Sequence, residues 1–489
     1  MKRSIIIVAA LLTAMTATRT AHAAPTAAAE QTIEIDLPQA LRIALSENPT
    51  IKIADLEIER QDYVKKETWG NLLPQLSGTA GYQNAIVKSE ISKGLSFSPT
   101  HTLNFGADLT LPLIVPGVYQ TLKLNNEQMR AAVESARASR IDMSNEVKKA
   151  FFNILRINQE IGVLKASREN VQQTVDQIRV SNRAGLASEY DLLTAEVQLS
   201  NLEPTILQAE KGLGIAEQYL KMLMGMPLEQ QVKFTGDLML LEQTYAAQRS
   251  LYDADLTNNS DLRSLDIQQD LLVRQLKVLR TQRMPTLGAT LSGSFQGHDP
   301  INFDMAAMSG GATGWQANGT YIGQPYGMWT PNASSPMGGD WAFAAPAAAS
   351  TTPVNNAFTW QHPLTLSFGL SVPIFAGFTN SNREKQLKNN IRQLSMQRDY
   401  AEKQIEVSAS TSISNIYTAR ERMAATQKTV DQARKAYDIS NVRYRAGAGT
   451  ILELNSAELQ LTQSQLNHSQ AIYDLLSAQA DYEKVIGNE

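Results

Sequence analysis

Apolar residues recur along this chain with two periods, and the switch between them marks out its elements. In LNFGADLTLPL, Leu103, Phe105, Ala107, Leu109, Leu111 and Leu113 fall on one side of an alternation, with Asn104, Gly106, Asp108 and Thr110 on the other. In LTLSFGLSVPI the same period sets Leu364, Leu366, Phe368, Leu370, Val372 and Ile374 against Thr365, Ser367, Gly369 and Ser371. Weaker alternation at 76–82 and 287–295 adds two more, so four strands are predicted over about residues 72–83, 103–113, 285–296 and 364–374. Each has one apolar face and one small or polar face, and a length of roughly 9–11 residues suits a strand that crosses a bilayer. A half-buried strand of a soluble sheet alternates in the same way, so the pattern needs a second argument.

Elsewhere the period is that of a helix. Asp36 is placed to cap a helix with Pro38 in its first turn, running to about Glu47, and a second helix follows Pro49 to about Gly70. After each second strand comes a long helical pattern, 116–183 and 375–445. Each is near 70 residues, or roughly 100 Å at the helical rise, well beyond globular length. A return helix then follows, over 188–224 and 450–487. Along the first, Leu192, Ala195, Leu199, Leu202 and Ile206 are spaced alternately by three and four; along the second, Leu454, Ala457, Leu461, Ser464 and His468 are. That is a coiled-coil seam in which small side chains alternate with large ones. Pro204 is expected to kink or divide the first return helix.

These elements occur twice. RAGLASEYDLLTAE at 183–196 is matched by RAGAGTILELNSAE at 445–458, and Gly185 and Gly447 stand 262 residues apart, as do Gly225 in LMG and Gly487 in VIG. Upstream, NPTIKIADLE (Asn48) is matched by NSDLRSLDIQ (Asn259), and Pro74 by Pro285. A two-fold duplication predicts one body built from two similar halves, 24–245 and 246–489, with function along an axis between copies.

Composition moves the strands toward the membrane. Residues 1–23 carry basic Lys2 and Arg3, an apolar run from Ile5 to Met15 and Ala21-His22-Ala23, the layout of a secretory signal cleaved after Ala23. Without it the chain has 41 basic and 48 acidic residues, a charge of about −7. No later run approaches the roughly 18 apolar residues of a membrane helix, and no basic patch suggests nucleic acid. Cysteine is absent, which leaves neither a disulfide nor a thiol for lipid attachment. An exported chain with four amphipathic strands and no other core for them points to lipid on their apolar face. The polar stretch 297–363, with Trp315, Trp329, Trp341 and Trp360, reads as a long extracellular loop. Four strands cannot close a barrel, and an open edge in lipid leaves backbone groups unsatisfied, so several chains must contribute. Two would give eight strands with a filled interior; three would give twelve and a lumen.

Catalytic chemistry is not legible. His22, His101, His298, His362 and His468 are scattered without metal-ligand spacing, and there is no nucleophile elbow, Walker loop or dinucleotide turn. No catalytic residue, metal or cofactor is predicted, and any energy must come from a partner.

The duplicated unit, DLPQALRIALSENP at the start, the RAG turns and the terminal LMG and VIG together resemble the TolC-like outer-membrane efflux proteins, in their unlipidated branch. The resemblance implies a mainly α chain with a membrane β part. It implies a homotrimer whose twelve-stranded β-barrel, set in outer-membrane lipid, continues as a twelve-helix α-barrel across the periplasm. The role implied is the gated, passive exit duct of a tripartite efflux or type I secretion system, fed by an inner-membrane transporter through a periplasmic adaptor (membrane fusion) protein. Asp191 and Glu453 match the family's acidic position after each turn glycine, and Tyr444 matches a gate-linking tyrosine. Arg183, Gly185, Arg445 and Gly447 fall on the tip turns where an adaptor would dock. Two departures stand out: Gly449 lies where relatives place a gate arginine, and Asn455-Ser456 replace a second acidic region.

The same residues have a local reading. Ser188-x-x-Asp191 and Thr450-x-x-Glu453 are capping boxes for the return helices, and the turn glycines suit a left-handed position after a helix. Capping and gating are compatible. The rival function is a secreted or surface coiled-coil scaffold or adhesin without a pore, which explains the helices and leaves the paired strands unexplained. Because Tyr444 and Glu453 both lie in the second copy, that copy is expected to move if gating is asymmetric.

Overall fold

The computed structural model describes residues 33–87, 90–92, 95–96, 99–185, 187–238, 240, 255–299, 314–315, 321–322, 328–331, 341–344 and 358–488. The expected signal at 1–23 and most of the 297–363 loop lie outside them. The main elements are β1 (Ile33–Ile35), α1 (Leu37–Glu47), α2 (Pro49–Gly70), β2 (Gln75–Asn84), β3 (His101–Ile114), α3 (Pro116–Arg183), α4 (Glu189–Leu223) and β4 (Val232–Phe234). There follow α5 (Ser260–Thr281), β5 (Thr286–His298), β6 (Thr359–Gln361), β7 (Leu364–Ser371), α6 (Thr379–Arg445) and α7 (Ile451–Ile486). No described helix is long and apolar enough to cross a membrane, which leaves the strands to be considered separately. The chain divides into two compact units, each drawing on both copies: residues 57–133 with 265–398, and residues 1–56 with 134–264 and 399–489.

The first unit holds the sheet. Its strands run β2–β3–β5–β7 with every neighbour antiparallel, and β6 extends the pairing along β5. The two copies meet in the middle, where β3 of the first pairs with β5 of the second. Register sorts the side chains. Leu76 sits opposite Leu109, Leu109 opposite Leu291, and Leu291 opposite Leu366. Alternation then places the apolar set on one face and Ser77, Asp108, Ser292 and Thr365 with their polar neighbours on the other. The apolar face is bare: Leu76, Leu366 and Phe368 are 75%, 60% and 67% exposed. Among the described residues the outer edges of β2 and β7 have no strand partner.

β7 ends at Ser371, short of the 374 predicted from its alternation. Pro373 has no amide to donate to a ladder, so Val372 and Ile374 continue the pattern without the pairing. The second long helix correspondingly starts at Thr379, four residues after the expected 375, because Gly377 (φ 56°) and Phe378 (φ 61°) turn the chain first. On the helices of this unit, acidic side chains gather arginines. Glu127 takes Arg130 and Arg274, and Glu384 takes Arg280, Arg283 and Lys388.

The second unit holds the apolar core. Ile35, Ala40, Ala44 and Ile51 pack with Val147, Phe151, Ile154, Leu220, Ile416, Ile472 and Leu475, all almost wholly buried. β1 and β4 pair in parallel at its border, and Phe151 meets Phe234 edge-on at 6.2 Å. Asp36 caps α1 as expected, exchanging side-chain bonds with Gln39. The repeat markers prove to be one device used twice. Asn48 donates from Nδ2 to the Leu223 carbonyl at the end of α4 (2.7 Å) and accepts at Oδ1 from the Thr50 amide (2.7 Å). Asn259 donates to the Val485 carbonyl at the end of α7 (2.7 Å) and accepts from the Asp261 and Leu262 amides (both 3.0 Å). Each asparagine thus starts one helix and finishes another. Asn259→Ala is expected to destabilise the protein by about 1–3 kcal/mol, since the partly buried Val485 carbonyl loses its donor; an unchanged denaturation midpoint would remove this bond from the stabilising contacts. Of the two outcomes expected at Pro204, division does not occur: α4 runs through it as one helix, with that residue on the exposed face.

Candidate functional site

The two helix reversals are brought together by an apolar cluster. Val171, Val175 and Ile178 of α3, Ala195 of α4, and Ile451 and Leu454 of α7 are buried against one another, with Tyr437 and Tyr444 of α6 packed alongside. All four helices meet there, so the turns that sequence places 262 residues apart form one end of the second unit.

Each turn is built by the same local chemistry. α3 ends at Arg183, and Gly185, at φ 74°, donates to the Asn182 carbonyl at 2.9 Å. Gly447, at φ 72°, donates to the Tyr444 carbonyl at 3.0 Å, and Ala448 to that of Arg443 at 2.8 Å. Glycine meets the left-handed requirement without a Cβ penalty. Arg183 and Arg445 close their helices as exposed cations, where they complement the helix dipole.

The acids after the turns part company. Ser188 and Asp191 form the reciprocal box: the Asp191 amide donates to Ser188 Oγ (3.1 Å) and the Ser188 amide to Asp191 Oδ2 (3.3 Å). Thr450 accepts from the Glu453 amide (3.2 Å), yet the return bond expected of a second box is not formed. The Glu453 carboxylate turns instead toward Arg443, 3.9 Å away, whose guanidinium also donates to the Ala448 carbonyl at 3.2 Å. Both ends of that ion pair are more than half exposed, so it is worth under about 1 kcal/mol. A Cβ on Gly449 would lie 3.3 Å from both Arg443 Cβ and Glu453 Oε2, which leaves little room for a larger residue there.

Tyr444 is half-buried beside the first turn. Burial, and after it the negative charge of Asp191, push its hydroxyl above the ordinary phenol range. The expected gate residues Tyr444 and Asp191 are therefore neighbours, while Glu453 stands apart with Arg443. Asn455 and Ser456 line a groove of about 610 Å³ together with Thr194, Gln198 and Asn201 of α4.

Sequence reading passed over a polar group directly behind this cluster. Glu458 of α7 is buried, with Ser167 and Asn170 of α3 and Tyr437 of α6 around it. Its position was legible as a carboxylate beside the seam residue Ala457, at a spacing from Leu454 and Leu461 that also falls on the seam side of the helix. Arg443 gave no such signal. Among the described residues no three His, Asp or Glu side chains converge as metal ligands. His468 is buried against Thr426 Oγ1 (3.1 Å from Nδ1), as expected of a hydrogen-bonding seam residue.

A sheet with a bare apolar face and, among the described residues, two unpartnered edges, in a chain that also carries duplicated helical hairpins, fits a membrane β-protein. The chain belongs to the outer membrane efflux protein family, whose model matches residues 40–226 and 349–488. Membership makes it an outer-membrane protein, as the strands and the export signal suggested. Outer membrane protein TolC of Escherichia coli (strain K12) is 21% identical over 338 residues, 69% of this chain and 60% of that one. The match thus spans about three fifths of the Escherichia coli protein. TolC of Vibrio cholerae is 19% identical over 85% of this chain and 82% of its own. Among solved structures, the outer membrane protein VceC of Vibrio cholerae aligns at 13% identity and TM-score 0.64 over 92% of this chain and 96% of that one. The CmeC outer membrane channel of Campylobacter jejuni aligns at 15% identity and TM-score 0.66, over 92% and 85%. These structures share the fold.

Proposed function

We propose that the chain is the outer-membrane exit duct of a tripartite efflux or type I secretion system, conducting its cargo passively. The observation that carries this is the sheet, with an apolar face that is exposed in the single chain and two edges that, among the described residues, have no strand partner. Three copies would supply twelve strands, enough to leave a lumen, and their long helices would continue the wall below. The relatives named TolC, and one named toxin and drug export protein A, support the export reading. Each chain on this reading is a signal (1–23) and two repeats (24–245 and 246–489). No group of residues argues for catalysis; the partners are an inner-membrane transporter that supplies energy and a periplasmic adaptor that meets the tip turns at Arg183, Gly185, Arg445 and Gly447.

Within the duct, Asp191, Tyr444 and Glu453 form the entrance. Three Glu453 carboxylates about the axis would concentrate cations and repel anions. Single-channel recording tests both levels. The purified oligomer in planar bilayers should conduct, whereas a scaffold or adhesin should not. Glu453→Gln should leave oligomer assembly unchanged and weaken blockade by divalent cations; unaltered blockade takes Glu453 out of the ring.

A further inference from the structure

Glu458 occupies a layer that belongs to neither apolar cluster. On α7 the tip cluster uses Ile451 and Leu454 and the main core begins at Ala471; between them the buried side chains include Glu458, Thr462, Ser464 and His468. Glu458 is 4% exposed. Asn170 Nδ2 lies 3.5 Å from its Oε1, while Oε2 is buried with no hydrogen-bond partner. Thr462 donates to Ser167 at 3.0 Å beside it.

The duplication supplies the contrast. The matching residue of the first copy is Glu196, which is paired with Arg179 at 2.9 Å and partly exposed. At the position matching Arg179 the second copy has Asn441. The same acid is therefore salt-bridged in one copy and buried without a cation in the other. An isolated carboxylate in such a place is costly to ionise.

We propose that Glu458 is a proton-controlled latch, holding α7 against α3 and α6 when neutral and releasing the tip end of α7 when it ionises. The groups facing it are Ser167 and Asn170 from α3 and Tyr437 from α6, and among the described residues it forms no ion pair. Tyr437 in turn lies within reach of Arg445 and Asp438. Burial pushes the Glu458 carboxyl upward, and the three polar neighbours oppose this only in part. The sign follows: the packed state binds the proton more tightly than the released state. The latch is therefore fully closed below the free-carboxylate value of 4.5 and weakens as pH rises through the raised value.

The latch rests on the duct reading for its purpose and can be measured without it. In the full-length assembled protein, amide exchange over 451–464, corrected for intrinsic rates, should lose protection by about tenfold or more as pH rises from 4 to 8. Glu458→Gln, an isostere of the neutral acid, should keep protection high and level. Tyr437→Phe removes a hydroxyl that favours the ionised form and should move the midpoint to higher pH. A Glu458→Gln profile that follows wild type overturns the latch, whatever the conductance. A profile flattened by Glu458→Gln in a protein that never conducts keeps the latch and overturns the duct.

Discussion

Gly487→Ala is expected to lower the stability of the protein by about 3 kcal/mol, roughly double the effect of Gly185→Ala, although both glycines have nearly the same backbone conformation. The left-handed setting, φ 73° at Gly487 and 74° at Gly185, costs any residue with a Cβ about 1–2 kcal/mol. At Gly185 nothing lies within 4 Å of the added carbon, so the cost ends there. At Gly487 the added carbon would overlap the carbonyl of Asn258. Relief requires the end of α7 to move away from the start of α5. That movement strains the bond from Asn259 to the Val485 carbonyl and the two bonds from Arg137 to the Asn258 and Gly487 carbonyls. Each is worth about 1 kcal/mol net. Arg137 cannot simply follow, because Glu134, only 5% exposed at its side chain, holds it at 2.6 Å. Denaturant unfolding of the two variants under one set of conditions decides the matter; equal midpoint shifts would show that the close approach at Gly487 carries no energy.

Phe368→Lys and Ser367→Lys, neighbours on β7, should differ by about 2–4 kcal/mol in the stability of the membrane-inserted protein. Phe368 stands on the apolar face, opposite Ala289, and is 67% exposed in the single chain. Ser367 points the other way, opposite Thr290, and its hydroxyl donates to the Thr290 carbonyl at 3.3 Å. A lysine on the apolar face must bring its charge into lipid; a lysine on the polar face meets water. Folding into lipid vesicles followed by band shift measures the first. The second should fold normally and shift ion selectivity toward anions if that face lines a lumen. Equal tolerance of both substitutions would mean that the apolar face does not contact lipid.

The elements were legible because their signals are local and repeated. α3 was bounded correctly at both ends, since Pro116 opens it and Arg183-Ala184-Gly185 closes it. The start of α6 was misjudged, because Pro373, Gly377 and Phe378 spend several residues on a turn that hydrophobic period alone reads as helix. The capping box at Ser188 formed and the one at Thr450 did not. Spacing fixes which groups can meet, while the presence of Arg443 within reach decides which do. Least legible were long-range roles. Asn48 and Asn259 were visible as repeat markers, yet their bonds to helix ends 175 and 226 residues away needed the fold. Glu458 looked like the last letter of a motif shared with Glu196. Only the environment separates them: Glu196 meets Arg179, whereas Glu458 is buried among Ser167, Asn170 and Tyr437.

The pairing of β3 with β5 has a consequence for how the protein is made. Because the copies join inside the sheet, the edges left over are unlike: β2 from the first copy and β7 from the second. A ring can close only by setting the β2 of one chain against the β7 of the next, always in the same rotational sense. A lone chain in lipid would hold two rows of unpaired amides and carbonyls at several kcal/mol each. On the proposed duct reading, insertion ahead of assembly would therefore be disfavoured on energetic grounds. Its biogenesis on that reading would follow the concentration of its own copies, with incomplete rings as the species most exposed to aggregation and to proteolysis.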